Sequence, residues 1–190
     1  MAPLTGILLA AGSGSRFDPA GRKNKLLQPL PNGDAVALAS AKNLLAVLPS
    51  VLAVVRPGPV SLRLQLEALG CRVTECAQAD LGMGVSLVHA LRQVADADGW
   101  LIALGDMPYV RAATIRQLQE AIHQGADIAV PTLEGRRGNP VAFSRRHLAA
   151  LLTLGGDLGA RRLLQSLPVT EVALDDPGIL QDIDIPADLV

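Results

Sequence analysis

Gly6–Leu30 reads GILLAAGSGSRFDPAGRKNKLLQPL. An apolar run stops at two glycines and two serines, and cations follow at Arg16, Lys23 and Lys25. A short run that is apolar on both faces marks a parallel strand covered on each side by helices. A glycine-rich exit from such a strand lets backbone amides approach an anion, most often phosphate. The exit is not a dinucleotide fingerprint, because Phe17 stands where the third glycine or alanine belongs. It is not a Walker A loop either, because the Gly-Lys-Ser/Thr ending is missing. A Gly-Ser-Gly turn alone reads equally well as a flexible connection. Arg16 and Lys25, placed to neutralise phosphate oxygens, favour an anion site.

Outward from this loop, short β-like runs alternate with longer helical ones. Asp34 is placed to cap a helix from Ala35 to Leu48, VLAVV at 51–55 is a second strand, and VSLRLQLEA before Gly70 reads as a helix. CRVTE is a third strand and GVSLVHALRQVA a helix behind a glycine turn. WLIAL at 100–104 is a buried fourth strand, and a helix over 112–124 stops at Gly125. DIAVP, VAFS and PVTEVAL read as later strands, with short helices over 145–152 and from a cap at Asp157 through Ser166. The β-α-β alternation predicts an α/β fold, a doubly wound and mostly parallel Rossmann-like sheet in a single domain over 1–190. Right-handed crossovers then bring the loops 11–16, 56–59, 77–84 and 105–108 to one sheet edge, where ligands bind. Arg56 follows the second strand onto that edge.

Two acidic stretches add chemistry. LIALGDMPYV ends a buried strand at Gly105 and puts the Asp106 carboxylate at the ligand edge, as a turn cap or as a ligand for a hard cation. Mg2+ is typically held by one or two carboxylates with substrate phosphates and water. In LQDIDIPADLV, Asp182 and Asp184 are two apart and share a face if the segment is a strand. The segment reads either as a solvated acidic tail in which Asp188 caps a short helix, or as the source of a second metal ligand, Asp184.

LLAAGSGSRF…NKLL, GDMP, GNPVAF, GGDLGARRLL and DIDIPADL, in this order, resemble the molybdenum cofactor nucleotidyltransferase family, which has a glycosyltransferase-A-like nucleotide-binding fold. The resemblance covers nearly the whole chain. It implies an Mg2+-dependent nucleotidyltransferase that moves a nucleotide from a triphosphate to a molybdopterin-type cofactor and releases pyrophosphate. Leu9, Ala10, Ala11, Gly12, Ser13 and Gly14 would line the base and triphosphate, and Arg16 and Lys25 would hold phosphates. Asp106 and Asp184 would hold Mg2+. Gly82, Gly84 and Ser86 would lie near the nucleotide, and Gly138, Asn139 and Asp157 would face the acceptor. Ala11, where the guanylyltransferase branch tends to carry glycine, narrows the space beside the base and favours CTP over GTP. Here DPAGRKN delays the family's lysine, so Lys25 is the better match and Lys23 the runner-up.

Composition sets bounds on partners. Of 190 residues, 49% are apolar and only 2% aromatic, so the core is aliphatic; the net charge of −1 argues against a general nucleic-acid binder. Arginine pairs at 136–137, 145–146 and 161–162 are solvated surface or the rim of an anion site. Cys71 and Cys76 flank a strand on opposite faces and read as core residues. His89, His123 and His147 are scattered without metal-ligand spacing. Met83 and Trp100 read as packing residues, and Tyr109 as a neighbour of the acceptor. The opening MAPLTGILLAAG has no basic region and too short an apolar run for a signal or membrane segment, so a cytoplasmic, membrane-free protein is expected. Rival readings are a guanylyltransferase, a sugar- or polyol-phosphate cytidylyltransferase, and a non-catalytic cofactor carrier that serves a molybdoenzyme acceptor.

Overall fold

The computed structural model describes residues 3–58, 60–156 and 160–189. The acceptor candidate Asp157 lies outside the described residues. Eight strands form one sheet: β1 (Thr5–Ala10), β2 (Val51–Val55), β3 (Arg72–Glu75), β4 (Gly99–Leu104), β5 (Ile128–Leu133), β6 (Arg136–Arg137), β7 (Val141–Ser144) and β8 (Thr170–Ala173). The helices are α1 (Val36–Leu45), α2 (Val60–Ala68), α3 (Met83–Gln93), α4 (Ala112–His123), α5 (Leu148–Leu151) and α6 (Arg161–Ser166). The strand order is β3-β2-β1-β4-β7-β5-β6, with β8 paired to β5. β1, β2, β3 and β4 are parallel, as their patterning predicts. β7 runs antiparallel between β4 and β5, a departure from simple alternation.

The chain winds outward from β1 through β2 to β3, then returns to place β4 on the other side of β1. The crevice at the carboxyl ends of β1 and β4 is therefore the switch point, where open α/β sheets bind ligands. Each face of the sheet carries its own aliphatic core. Ile7, Leu9, Leu52, Val54, Trp100 and Ile102 pack with α3, and Leu8, Ala10, Ala53, Leu101 and Ala103 pack with α1 and α4. This is the two-faced burial that an uninterrupted apolar strand requires. Trp100 is fully buried, and its indole N–H donates to the Val94 carbonyl at 3.0 Å. Cys71 and Cys76 lie in the two opposite cores, and burial pushes the Cys71 thiol up to about 11.

Three local expectations change. Ala35, not Asp34, precedes the first turn of α1, while the Asp34 carboxylate pairs with Lys42 at 2.6 Å. Asp182 and Asp184 lie on no strand; the segment runs as coil into a short 3-10 helix at Pro186–Asp188. Its anchor is tertiary, because the Ile183 amide donates to the Asp106 carbonyl at 2.8 Å. Tyr109 lines a shallow groove with Leu30, Asp34 and Lys42 and does not reach the switch-point crevice. No helix among the described residues is long and apolar enough to cross a membrane.

Candidate active site

The opening loop is shaped by Gly14, whose φ of +66° places it in the left-handed region that glycine adopts without strain. Its carbonyl accepts the amides of Phe17 at 2.9 Å and Asp18 at 3.1 Å, which folds the loop back over β1. Among the described residues, the amides of Gly12, Ser13, Gly14, Ser15 and Arg16 donate to no protein acceptor. A run of free amides at a strand exit offers donors to an anion. Phe17 tucks its ring into the core and anchors the far end of the turn.

The next stretch, DPAGRKN, is held by one carboxylate. Asp18 accepts the amides of Ala20 at 3.0 Å and of Arg22 and Lys23, each at 2.8 Å. Its limited burial pulls the carboxyl upward, but these three amides, with the Lys23 charge, hold it below its usual 3.8. This brace separates the two lysine candidates. Lys23 is exposed, whereas Lys25 is only 8% exposed and its ammonium faces the cleft. Asn24 caps the 3-10 turn Lys25–Leu27 by accepting the Leu26 amide at 3.0 Å.

Lys25 Nζ lies 2.7 Å from Asp106 Oδ2 and 3.4 Å from Asp184 Oδ1. Arg16 forms an ion pair with the second oxygen of Asp184. The four side chains come from three distant parts of the chain, and backbone contacts fix their meeting. The Gly105 amide donates to the Leu9 carbonyl at 2.9 Å, which joins the ends of β1 and β4. A side chain at Gly105 would press on Ala10 and Leu9 at 3.1 Å. Ser40 Oγ holds the Gly105 carbonyl at 3.1 Å from beneath. Asp188 accepts the amides of Ile185 and Asp184, both at 2.8 Å, and these two bonds hold its carboxyl below 3.8.

These groups line a cleft of about 370 Å³ with Leu9, Ala11, Gly12, Ser13, Gly14, Arg56, Gly82, Met83 and Ser86. Arg56 closes one end: its Nε donates to the Ala11 carbonyl at 3.1 Å and its Nη2 pairs with Asp80. Asp182, paired with Asp184 in the sequence, also lines the cleft, and so does Asp80, which the sequence does not single out because a turn aspartate carries no signal until its partner is known. Ser86 is 4% exposed on α3 and sits on the cleft wall. Gly82, with φ of +118°, turns the chain into α3.

Two expected lining residues face elsewhere. Ala10 alternates away from Leu9 and Ala11 and packs in the opposite core. The Gly84 amide donates to the Gly156 carbonyl at 2.8 Å, and a Cβ at 84 would lie 2.9 Å from the Gly155 backbone. Gly84 is thus a close contact between α3 and the 155–156 turn.

A second cleft of about 540 Å³ adjoins the first across Leu9, Met83 and Leu104. Its walls include Leu87, Val130 and Leu164, with Arg137, Gly138 and Asn139 on one side. Gly138 is pinned there: its amide donates to the Pro131 carbonyl at 2.9 Å, and a Cβ would lie 2.3 Å from the Ile179 carbonyl oxygen. Arg137 pairs with Glu171 at 2.7 Å.

The oxygen donors suit a hard cation. One ammonium nitrogen lies within reach of both Asp106 and Asp184, and these two carboxylates would hold a divalent ion and supply hard oxygen ligands to it. The described residues contain no cluster of three or more His, Cys, Asp or Glu side chains arranged to hold a metal. Most of such an ion's ligands would come from substrate phosphate and water.

Comparison with known proteins agrees with this geometry. The purine catabolism protein PucB of Bacillus subtilis is 31% identical over 199 residues, covering 96% of this chain and 92% of that protein. Rv0371c of Mycobacterium tuberculosis superposes with a TM-score of 0.81 at 28% identity, covering 98% of this chain and 96% of its own, and it has also been solved in complex with manganese. The nucleotidyl transferase Mth528 of Methanothermobacter gives a TM-score of 0.81 at 26% identity, covering 99% of this chain and 94% of its own. The MobA-like NTP transferase domain matches residues 6–172, and with the switch-point cleft this makes the chain a member of the MobA-like nucleotidyltransferases.

Proposed function

We propose that the chain transfers CMP from CTP to the terminal phosphate of a molybdopterin-type cofactor, with Mg2+ as the metal. The observation that carries this reading is the junction of two unlike clefts at Leu9, Met83 and Leu104. One is lined by charges and free amides, and the other by an aliphatic wall with Arg137, Asn139 and Gln165 beside it. An acceptor phosphate oxygen would attack the α-phosphorus at that junction, the bond to the bridging oxygen would break, and pyrophosphate would leave. The attacking oxygen is already anionic, so no side chain is required as general base. The loop amides of 12–16, Arg16 and Lys25 would hold the triphosphate in line and neutralise charge that builds up on it. Asp106 and Asp184 would hold the divalent cation, which when bound supplies further charge neutralisation at the phosphates. Ala11, next to the Arg56 contact, narrows the base end and favours a pyrimidine. Gly82 and Ser86 would contact the nucleotide, and Gly138 and Asn139 the pterin.

Pyrophosphate release with purified molybdenum cofactor, run in parallel with CTP and GTP, tests the reading. CTP should be turned over at least about tenfold faster, the scale of discrimination that a single small group in a pocket provides. Equal rates, or a preference for GTP, would reassign the base. Turnover with sugar or polyol phosphates alone would reassign the acceptor.

A further inference from the structure

The segment from Asp176 to Asp184 reaches the first cleft and supports the second, yet the side chain that fixes its start lines neither. The Asp176 carboxylate is 2% exposed. Its Oδ2 accepts the Arg111 amide at 2.9 Å and the Thr114 hydroxyl at 2.5 Å, both at the N-terminus of α4. Its Oδ1 accepts the Gly178 amide at 3.0 Å, and Arg111 Nε lies 3.8 Å from the same oxygen. A buried carboxylate is tolerated when donors satisfy it in this way, and the start of a helix favours its charge. Arg111 Nη1 adds a bond to the Asp175 carbonyl at 2.7 Å.

From this clamp the strap passes three fixed points. Gly178 lies so close to the loop after β4 that a Cβ would sit 2.1 Å from the Tyr109 carbonyl oxygen. The Ile179 carbonyl accepts the Asn139 amide at 3.0 Å, which ties the strap to the loop beside the second cleft. The Ile183 amide then donates to the Asp106 carbonyl, and Asp184, next in the chain, enters the first cleft. Asp106, Asp184 and the Gly138–Asn139 loop are thus joined through one short strap. We propose that Asp176 is a positioning residue for the transfer: by clamping the strap to α4, it sets the spacing between the Asp106–Asp184 pair and the acceptor loop. This rests on the nucleotidyl-transfer reading. A shift of about 1 Å caused far from the reacting atoms can cost about a hundredfold in rate, so a clamp outside both clefts can govern kcat.

Asp176→Asn tests this on the full chain. It keeps the volume but turns one oxygen into a donor, which must face either the Gly178 amide or the Arg111 and Thr114 donors. Kinetics are measured with CTP, Mg2+ and molybdopterin-type cofactor at a temperature where circular dichroism shows the variant fully folded. kcat should fall at least about tenfold and KM for the acceptor should rise several-fold, with KM for CTP within about threefold. Amide exchange, followed by NMR without substrates, should quicken at least about tenfold at Asn139 and Ile183. It should stay unchanged at Gly105, whose amide is held by Leu9 and not by the strap. Thr114→Val removes one donor, keeps the side chain's shape and should move the same quantities the same way by about threefold. That variant decides the matter if Asp176→Asn does not fold. Wild-type kcat and KM values in the folded variants would overturn the positioning role, and wild-type exchange at Asn139 and Ile183 would overturn the strap. Either result leaves the nucleotidyl-transfer reading standing. If the wild-type chain forms no product from CTP or GTP with any phosphate acceptor, the transfer reading falls and takes the positioning role with it.

Discussion

The two clefts that meet at Leu9, Met83 and Leu104 are built by different means. The switch-point cleft is assembled from loops that leave parallel strands β1, β2 and β4, and it is lined by charges and free amides. The neighbouring cleft lies over the antiparallel β7, beside β5 and α6, and combines an aliphatic wall with Arg137, Asn139 and Gln165. Charge and backbone dipoles suit a ligand portion common to all nucleoside triphosphates. Apolar shape suits a portion that must be told from other acceptors, because such a wall rejects a wrong ligand by leaving polar groups unpaired. The division predicts that substitutions in the first cleft strike the chemical step and that those in the second strike acceptor use.

The largest effect should come from the first cleft. Asp106→Ala should lower kcat by roughly three orders of magnitude, the scale seen when one preorganised electrostatic group is removed from a reacting centre. Its far-UV circular dichroism should match the wild type, since Asp106 holds the C-terminal segment through its backbone carbonyl and not its side chain. Near-normal pyrophosphate release by this variant would remove Asp106 from the site. At the boundary of the second cleft, Gly138→Ala should destabilise the protein by about 1–3 kcal/mol in urea unfolding, because the new methyl group overlaps the Ile179 carbonyl. Leu164→Ala, on the apolar wall, should raise KM for the acceptor several-fold and leave KM for the nucleotide within about twofold. A matching rise in both would mean that the two clefts do not divide the substrates.

The smallest effect is at Asp188. Its folded-state pKa is depressed by the Ile185 and Asp184 amides, so its contribution is present above the ordinary value of 3.8 and is lost as pH falls through the lower folded value. Asp188→Ala should therefore lower the thermal midpoint at neutral pH, with the gap from wild type closing in strong acid. A gap that does not depend on pH would show that the carboxylate charge is not what holds Asp184 in place.

The first cleft was largely legible in sequence because its parts are local. The β1 run, the Gly-Ser-Gly exit and Gly105-Asp106 each carry their meaning within a few residues, and apolar patterning alone fixes which strands are buried on both faces. What eluded the sequence was long-range pairing. Asp182 and Asp184 look like one face of a strand, yet the segment is coil hung from the Asp106 carbonyl by the Ile183 amide. Gly84 resembles one more member of a phosphate loop, but its missing side chain makes room for the 155–156 turn. Arg56 was visible as a cation at the ligand edge, but nothing near it in sequence shows that Asp80 holds its guanidinium. The antiparallel insertion of β7 also has no local signature, since VAFS would satisfy either direction.

The most direct test of the whole account is product identity. The chain is incubated with Mg2+, molybdopterin-type cofactor and CTP labelled at the α-phosphate, and the products are separated and weighed by mass spectrometry. The account predicts one labelled product, the cofactor enlarged by a CMP unit, formed in step with pyrophosphate and absent with Asp106→Ala. Label recovered only as free CMP or unreacted CTP, with active cofactor present, would contradict it.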